Sequence, residues 1–339
     1  MSKKWLEAKA TPQRVWALFK HAIVPQRAWG RVQEISGQVP AQGEWLGFAD
    51  RLLLLSGTLF LVTGIFFFFA FNWAEIGKFE RFALVESLVV IATLFAFVLK
   101  LDTWGGRVAL MAAALLLGAA LGVIGQVYQT GADSYRLFLN WTLLISGWVL
   151  ISRWNMMYLL WMVLLNLTIS LYWWQIIGGD GEVLNIILLG INFGFVLLWE
   201  LLATRNWLPF MSRNRLHLYL LMAPALSYAS YLMLDFIFGF GFGYATLDWI
   251  APPVYAVVMG ILFLLYTRLR RDLLMLSMAA LSLLVVVVAG SGRLIYDLMD
   301  MTFRVPVVFF LIMGAIIVAL TGGLVTGLRR IQRQWEAQS

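Results

Sequence analysis

The sequence predicts an all-α, polytopic membrane protein of about ten transmembrane helices. Three observations predict it. Of 339 residues, 62% are hydrophobic and only 13% charged, about half the charged share that coats a soluble domain. Mean hydropathy is +0.84. The apolar residues fall into ten runs of roughly membrane-spanning length, bounded by charges, Gly or Trp. The 16 Trp and 24 Phe suit a chain with much of its surface at bilayer interfaces. A soluble enzyme is excluded. The absence of cysteine also excludes disulfides, thiolate nucleophiles, iron–sulfur clusters and cysteine zinc sites. Two histidines, His21 and His217, leave no basis for a bis-histidine haem. No cofactor and no metal site are expected.

Residues 1–51 read as a basic, amphipathic cytoplasmic segment. Their opening, MSKKWLEAKA, lacks the apolar core of a removable signal peptide. Thr11-Pro12 supplies an N-cap and a first helical residue for a helix carrying Val15, Trp16, Leu18 and Phe19. A second short helix starts at Pro25 and carries Trp29 and Val32. Basic residues interleaved with Trp fit a helix lying on an anionic leaflet. They equally fit a small helical pair packed on inner loops or a partner.

The expected spans are 52–72, 82–99, 108–129 and 137–152, a four-helix unit. A six-helix region at 153–327 follows, with spans 155–174, 184–203, 216–238, 250–267, 273–290 and 305–327. A tail at 328–339 completes the chain. Only Arg153 separates the fourth span from the fifth. Gly290-Ser291-Gly292-Arg293 reads as a turn ending the ninth span rather than a phosphate loop. Pro224 frees the Leu220 carbonyl and kinks the seventh. The Phe/Gly alternation from Phe238 to Gly243 predicts an irregular loop. Small residues at four-residue spacing, Ala114, Gly118 and Gly122 in the third span and Gly323 and Gly327 in the tenth, predict close helix packing.

Ten spans put both termini on one side. Of the 25 Lys/Arg, 20 then fall on the N-terminal side, leaving Lys78, Arg81, Arg136, Arg293 and Arg304 opposite. Basic residues favour the cytoplasmic face, so both termini are expected there. The topology accounts for the net charge of +7, and no nucleic-acid partner is implied. The expected partners are the lipid bilayer and other membrane proteins.

Polar groups within apolar spans are costly and therefore informative. The first four spans each carry one near their outer end: Asn72, Glu86, Gln126 and Asn140. Two outer connections frame them, one with Trp73 and Glu75, the other with Tyr128 and Asp133. The arrangement predicts a shared outer polar cluster. It is either a pocket for a small polar ligand, ion or lipid headgroup, with Asp133 and Glu75 as charged walls, or an interhelical clamp whose hydrogen bonds contribute about 0.6–2 kcal/mol each.

The segments NWAEIG (72–77) and GQVYQTGADSY (125–135) also carry a resemblance. They resemble the NW-acidic and GQ-aliphatic-Y signatures of a bacterial family of predicted multi-pass membrane proteins, described only as a domain of unknown function. The resemblance covers about residues 10–155 and makes Asn72, Trp73, Gln126 and Tyr128 the corresponding positions. It implies a bacterial inner-membrane setting and no particular activity.

In the second half, Asn185, Asn192 and Glu200 recur at seven and eight residues and form one stripe on the sixth span, with Asn166 of the fifth able to face it. The stripe lines a polar pathway, or Glu200 simply reaches out toward Arg205. Asp235, near the outer end of the seventh span, has Arg293 as a candidate partner, or, as an acid at headgroup depth, needs none. No Walker-A, HExxH or GxSxG motif occurs, and no enzymatic activity is expected. Two functions remain: a membrane protein that binds or passes a small polar ligand, ion or lipid, and a scaffold or assembly factor for an envelope complex.

Overall fold

The computed structural model describes residues 12–21, 23–37, 39–40, 42–71, 75–128, 133–204, 215–239, 248–298 and 306–338. All regular structure among them is helical, as an apolar solvent requires, since a helix satisfies its backbone groups within one segment. The chain divides into two compact units, residues 1–120 and 121–339.

The first unit opens with α1 (Pro12–Lys20), a 3₁₀ turn at Gln26–Ala28 and α2 (Trp29–Ile35). The aromatic residues of the two helices meet: Phe19 lies 4.5 Å and Trp16 5.8 Å from Trp29, centroid to centroid. Val15 is buried beneath them. The two short helices thus pack on one another through these rings. Then follow α3 (Gln42–Phe71), α4 (Lys78–Val98) and α5 (Trp104–Val127), which runs through the unit boundary. The helix that carries the expected first span starts earlier than the span itself, since α3 begins at Gln42 and passes through Asp50 and Arg51. At 30 residues it is about 45 Å long, longer than a hydrocarbon core. The Arg51 guanidinium sits 5.4 Å above the Trp104 ring, which gives a cation near an apolar surface a favourable partner. Gly106 must be glycine, since a Cβ there would lie 2.1 Å from the Lys100 carbonyl oxygen. That approach closes the tight turn between α4 and α5.

The second unit contains α6 (Ser134–Ser152), α7 (Asn155–Tyr172), α8 (Gly181–Thr204), α9 (Leu216–Phe238), α10 (Ala251–Leu264), α11 (Leu273–Leu298) and α12 (Pro306–Gln338). Two of these helices end in a π turn, α7 at Trp173–Ile177 and α10 at Leu265–Leu269. The core lies between α7, α8, α9, α10 and α11, where Met222, Leu262, Met275, Leu276 and Ala279 are fully buried. Arg153 takes a left-handed conformation and Trp154 an extended one between α6 and α7, so two residues suffice to break the helix and redirect the chain.

Nine helices among the described residues are long and apolar enough to cross a membrane, and each overlaps one expected span. The expected fourth span is α6, a 19-residue helix. Tyr135, Arg136 and Asn140 in its first two turns keep it less hydropathic than the nine. The reading of Gly290–Arg293 as a turn is corrected: α11 continues through it to Leu298. Ser291 donates 2.7 Å to the Val287 carbonyl and Arg293 pairs with Asp297 at 3.0 Å, both local contacts that a continuous helix provides. The Phe/Gly loop lies outside the described residues from Phe240 onward. Gly239 itself adopts the left-handed conformation that ends α9.

Candidate functional site: the polar stripe of α8

The connection from α7 to α8 builds one end of the site. The π turn closes at Gly178, whose positive φ lets its N–H reach the Trp173 carbonyl at 2.8 Å. Gly179 passes the Trp173 ring so closely that a Cβ would sit 3.0 Å from it. Asp180 then accepts the Glu182 N–H at 3.2 Å and opens α8, with Glu182 in the first turn where the helix dipole favours an acid. Glu182 and Asn185 share a face of α8, and Tyr228, Tyr231 and Asp235 share a face of α9. Between these faces and the end of α7 lies a cavity of about 820 Å³, lined also by Ser170, Trp174 and Asp180. A second void of about 10 Å³, room for one water, lies against Glu182, Asp235, Ile250 and Ala251.

Asp235 is the unusual member. It is 5% exposed, and its Oδ1 has no hydrogen-bond partner among the described residues. The expected pairing with Arg293 is corrected, since Arg293 is taken by Asp297. A buried, unpaired carboxylate costs several kcal/mol by general estimate, and its place in the last turn of α9 sets it against the negative end of the helix dipole.

Midway along α8, Asn192 and Asn166 exchange amide hydrogen bonds at 2.6 and 3.3 Å. This is the facing pair that the spacing of α7 and α8 anticipates. Elsewhere in the unit, Ser282 of α11 shares hydrogen bonds with Ser230 of α9 at 2.7 Å and Tyr255 of α10 at 3.0 Å.

At its far end, about 27 Å from Glu182 by helical rise, the stripe reaches Glu200. Arg205 lies outside the described residues, and Glu200 is held from other directions. Arg215 pairs with it, the Arg270 Nε lies 3.0 Å from its Oε2, and Tyr266 donates to it at 3.1 Å. The Arg270 contact is an ion pair off the hydrogen-bond axis. Arg215 also pairs with Asp272 at 3.1 Å, and Asp272 accepts from Tyr219 at 3.0 Å and from the Leu274 and Met275 N–H groups that start α11. Two acids, two arginines and two tyrosines thus tie α8, α9, α10 and α11 together. Tyr266 belongs to the π turn of α10, just as Trp174 at the cavity belongs to the π turn of α7. Such turns recur at functional positions because one extra residue per turn re-aims the side chains.

The predicted outer cluster draws on residues of both units. Asn72 and Trp73 lie outside the described residues. Glu75, Glu86, Gln126, Tyr128, Asp133 and Asn140 are exposed. In the stripe, Asn192 and Glu200 are buried and Asn185 is half-buried at the cavity. The sequence reading left Asp180, Glu182, Tyr228 and Tyr231 out of the site. Glu182 carries a usable signal, since it precedes Asn185 by three residues and extends the same stripe. The tyrosines carry none, because apolar helices place aromatic residues on every face.

Neither the curated proteins nor the solved structures yield a match to the chain. A family model does match, over residues 29–158, and its description is predicted membrane protein (DUF2157). The match runs from α2 through α6 into the first turn of α7, so the cavity and the α8 stripe follow it in the chain. Residues 29–158, less than half of the chain, are thus similar to the predicted membrane protein family DUF2157, a domain of unknown function.

Proposed function

We propose that this membrane protein binds a small polar ligand within its second unit, at the cavity between α7, α8 and α9. The observation that carries the reading is Asp235, buried at 5% exposure with an unpartnered Oδ1 beside about 820 Å³ of space. Ionisable groups at such positions in membrane helices generally serve a ligand, an ion or a proton, and the volume lies within the range of small-molecule sites. Asn185, the Asn192–Asn166 pair and the Glu200 network continue the polar face along α8, so the same helix offers a route for passage. The setting adopted is a bacterial inner membrane, which the family resemblance implies, with both termini cytoplasmic, which rests on the lysine and arginine asymmetry.

The test is thermal stability of the purified full chain against a panel of neutral, anionic, zwitterionic and cationic small solutes. At a concentration 100-fold above Kd a bound solute stabilises by about 2.7 kcal/mol. At least one solute should raise the melting temperature saturably, and Asn185→Trp, which fills the cavity, should abolish the rise. A panel without any saturable response, in a protein that melts cooperatively, overturns the reading.

A second reading, as a scaffold, is favoured by α3 and α12. The apolar stretches of these helices are 6% and 0% buried within the chain, leaving whole faces for lipid or another membrane protein. Crosslinking from exposed Phe60 or Phe310 to a co-purifying protein, rather than to lipid, would support it.

A further inference from the structure

We infer that the ligand of this cavity is a small organic cation whose ammonium group is bound by the Asp235 carboxylate. This rests on the cavity reading above and names its ligand class.

Charge carries the argument first. The cavity lining includes three carboxylates, Asp180, Glu182 and Asp235, and no lysine, arginine or histidine. Asp180 is exposed at the rim, whereas Glu182 and Asp235 are buried at 9% and 5% exposure. Asp235 is 95% buried by that measure, lines the cavity, and leaves its Oδ1 without a hydrogen-bond donor among the described residues. An acid in that state is stabilised by an incoming cation that can also donate a hydrogen bond, and an ammonium does both. An anion would meet the field of the three acids at close range, and a neutral ligand would leave the charge uncompensated.

The rest of the lining distinguishes an organic cation from a bare ion. Among the described residues no three acids or histidines converge in a way that would hold a metal ion. Tyr228, Tyr231 and Trp174 line the same space, and aromatic faces attract ammonium and alkylammonium groups. The volume of about 820 Å³ exceeds what a dehydrated alkali ion fills and accommodates a carbon skeleton. Asn185 of α8 and Ser170 of α7 supply hydrogen-bonding groups for a hydroxyl or second polar group on that skeleton. An ammonium could arrive as a free amine in solution or as the ethanolamine headgroup of a membrane lipid.

The test uses the full chain in nanodiscs of phosphatidylglycerol, with and without phosphatidylethanolamine. Ethanolamine and putrescine are titrated by calorimetry against ethylene glycol, 1,4-butanediol, acetate and potassium. The inference expects the amines to bind at least tenfold more tightly than their diol counterparts and than potassium, with Asp235→Asn removing at least tenfold of that affinity. If the source is lipid, free amines bind only in the discs lacking phosphatidylethanolamine, and native mass spectrometry finds that lipid retained by the parent and lost from Asp235→Asn. Equal or tighter binding of the diols, acetate or potassium overturns the ligand class and leaves the cavity reading standing. Absence of binding by every solute and of lipid retention overturns both. The comparison of amine with diol is made on the parent protein, so it decides the class even if Asp235→Asn fails to fold.

Discussion

Asn166 and Asn192 donate to one another across α7 and α8, at 3.3 Å and 2.6 Å, and each also donates back to its own helix, to the Met162 and Leu188 carbonyls. A reciprocal amide pair in an apolar bundle fixes both the register and the rotation of the two helices, because no other pairing satisfies both side chains. Replacing Asn192 alone by Leu should destabilise the protein by about 1 kcal/mol, since the Asn166 amide loses its interhelical partner. The double replacement Asn166→Leu with Asn192→Leu should recover part of that loss. A double-mutant cycle on melting in mild detergent checks this, and simple additivity would show that the pair is not coupled.

The Glu200 network should behave differently. Glu200 has 4% side-chain exposure, whereas Arg215 and Arg270 keep about a quarter of theirs. Breaking a fully buried pair costs 3–5 kcal/mol. With the arginines partly solvated, Glu200→Gln is expected to cost about 2–3 kcal/mol. Tyr266→Phe removes one hydrogen bond to an ionised group and should cost about 1.5 kcal/mol. Chemical denaturation of the three proteins tests the order, and a neutral Glu200→Gln would show that the arginines are satisfied by solvent.

Asp235 reverses the usual sign. Its Oδ1 is buried without a donor among the described residues, and it sits at the unfavourable end of a helix dipole, so Asp235→Leu in the absence of ligand should stabilise the protein. A gain of about 1 kcal/mol corresponds to about 2–4 °C in melting temperature for a domain of this size. Functional sites commonly carry such a cost. A fall in melting temperature would mean that the acid contributes to packing.

The chain lacks cysteine, so introduced thiols report topology without background. With both termini cytoplasmic, Ser339→Cys should resist a membrane-impermeant maleimide in intact spheroplasts, while Asp180→Cys, between α7 and α8, should react. Labelling of both from outside would overturn the ten-span arrangement.

The sequence made the helices legible because burial in hydrocarbon leaves a strong mark: runs of about 20 apolar residues closed by charge. It was weakest where a helix extends beyond that mark. Polar residues precede the apolar run of α3 and follow that of α12, and the helices include them because nothing there breaks the backbone. At Gly290–Arg293 the glycines suggested a turn, but Arg293 and Asp297 at four-residue spacing hold the helix. Within the site, the Asn185, Asn192 and Glu200 spacing was readable as a stripe, since one helix determines it. The partners Arg215, Arg270 and Tyr266 were not, because three other helices supply them. Asp235 was visible as an acid in need of an explanation, whereas its lack of a partner depends on what surrounds it in space.

The π turns at Trp173–Ile177 and Leu265–Leu269 place a length-tolerant element beside each end of the α8 stripe. A π turn holds one more residue than the α-helical turn it replaces, so a single deletion inside it can be absorbed by closing the turn to regular helix. A deletion in the regular middle of α8, by contrast, turns everything beyond it by about 100°, given 3.6 residues per turn. Deletions at Gln175 or Thr267 should therefore cost less stability than a deletion at Leu189, while re-aiming the side chains of the wide turn itself, Trp174 at the cavity and Tyr266 at Glu200. Scanning deletions with melting as the readout would show that order, and equal losses at all three places would show that the wide turns have no slack.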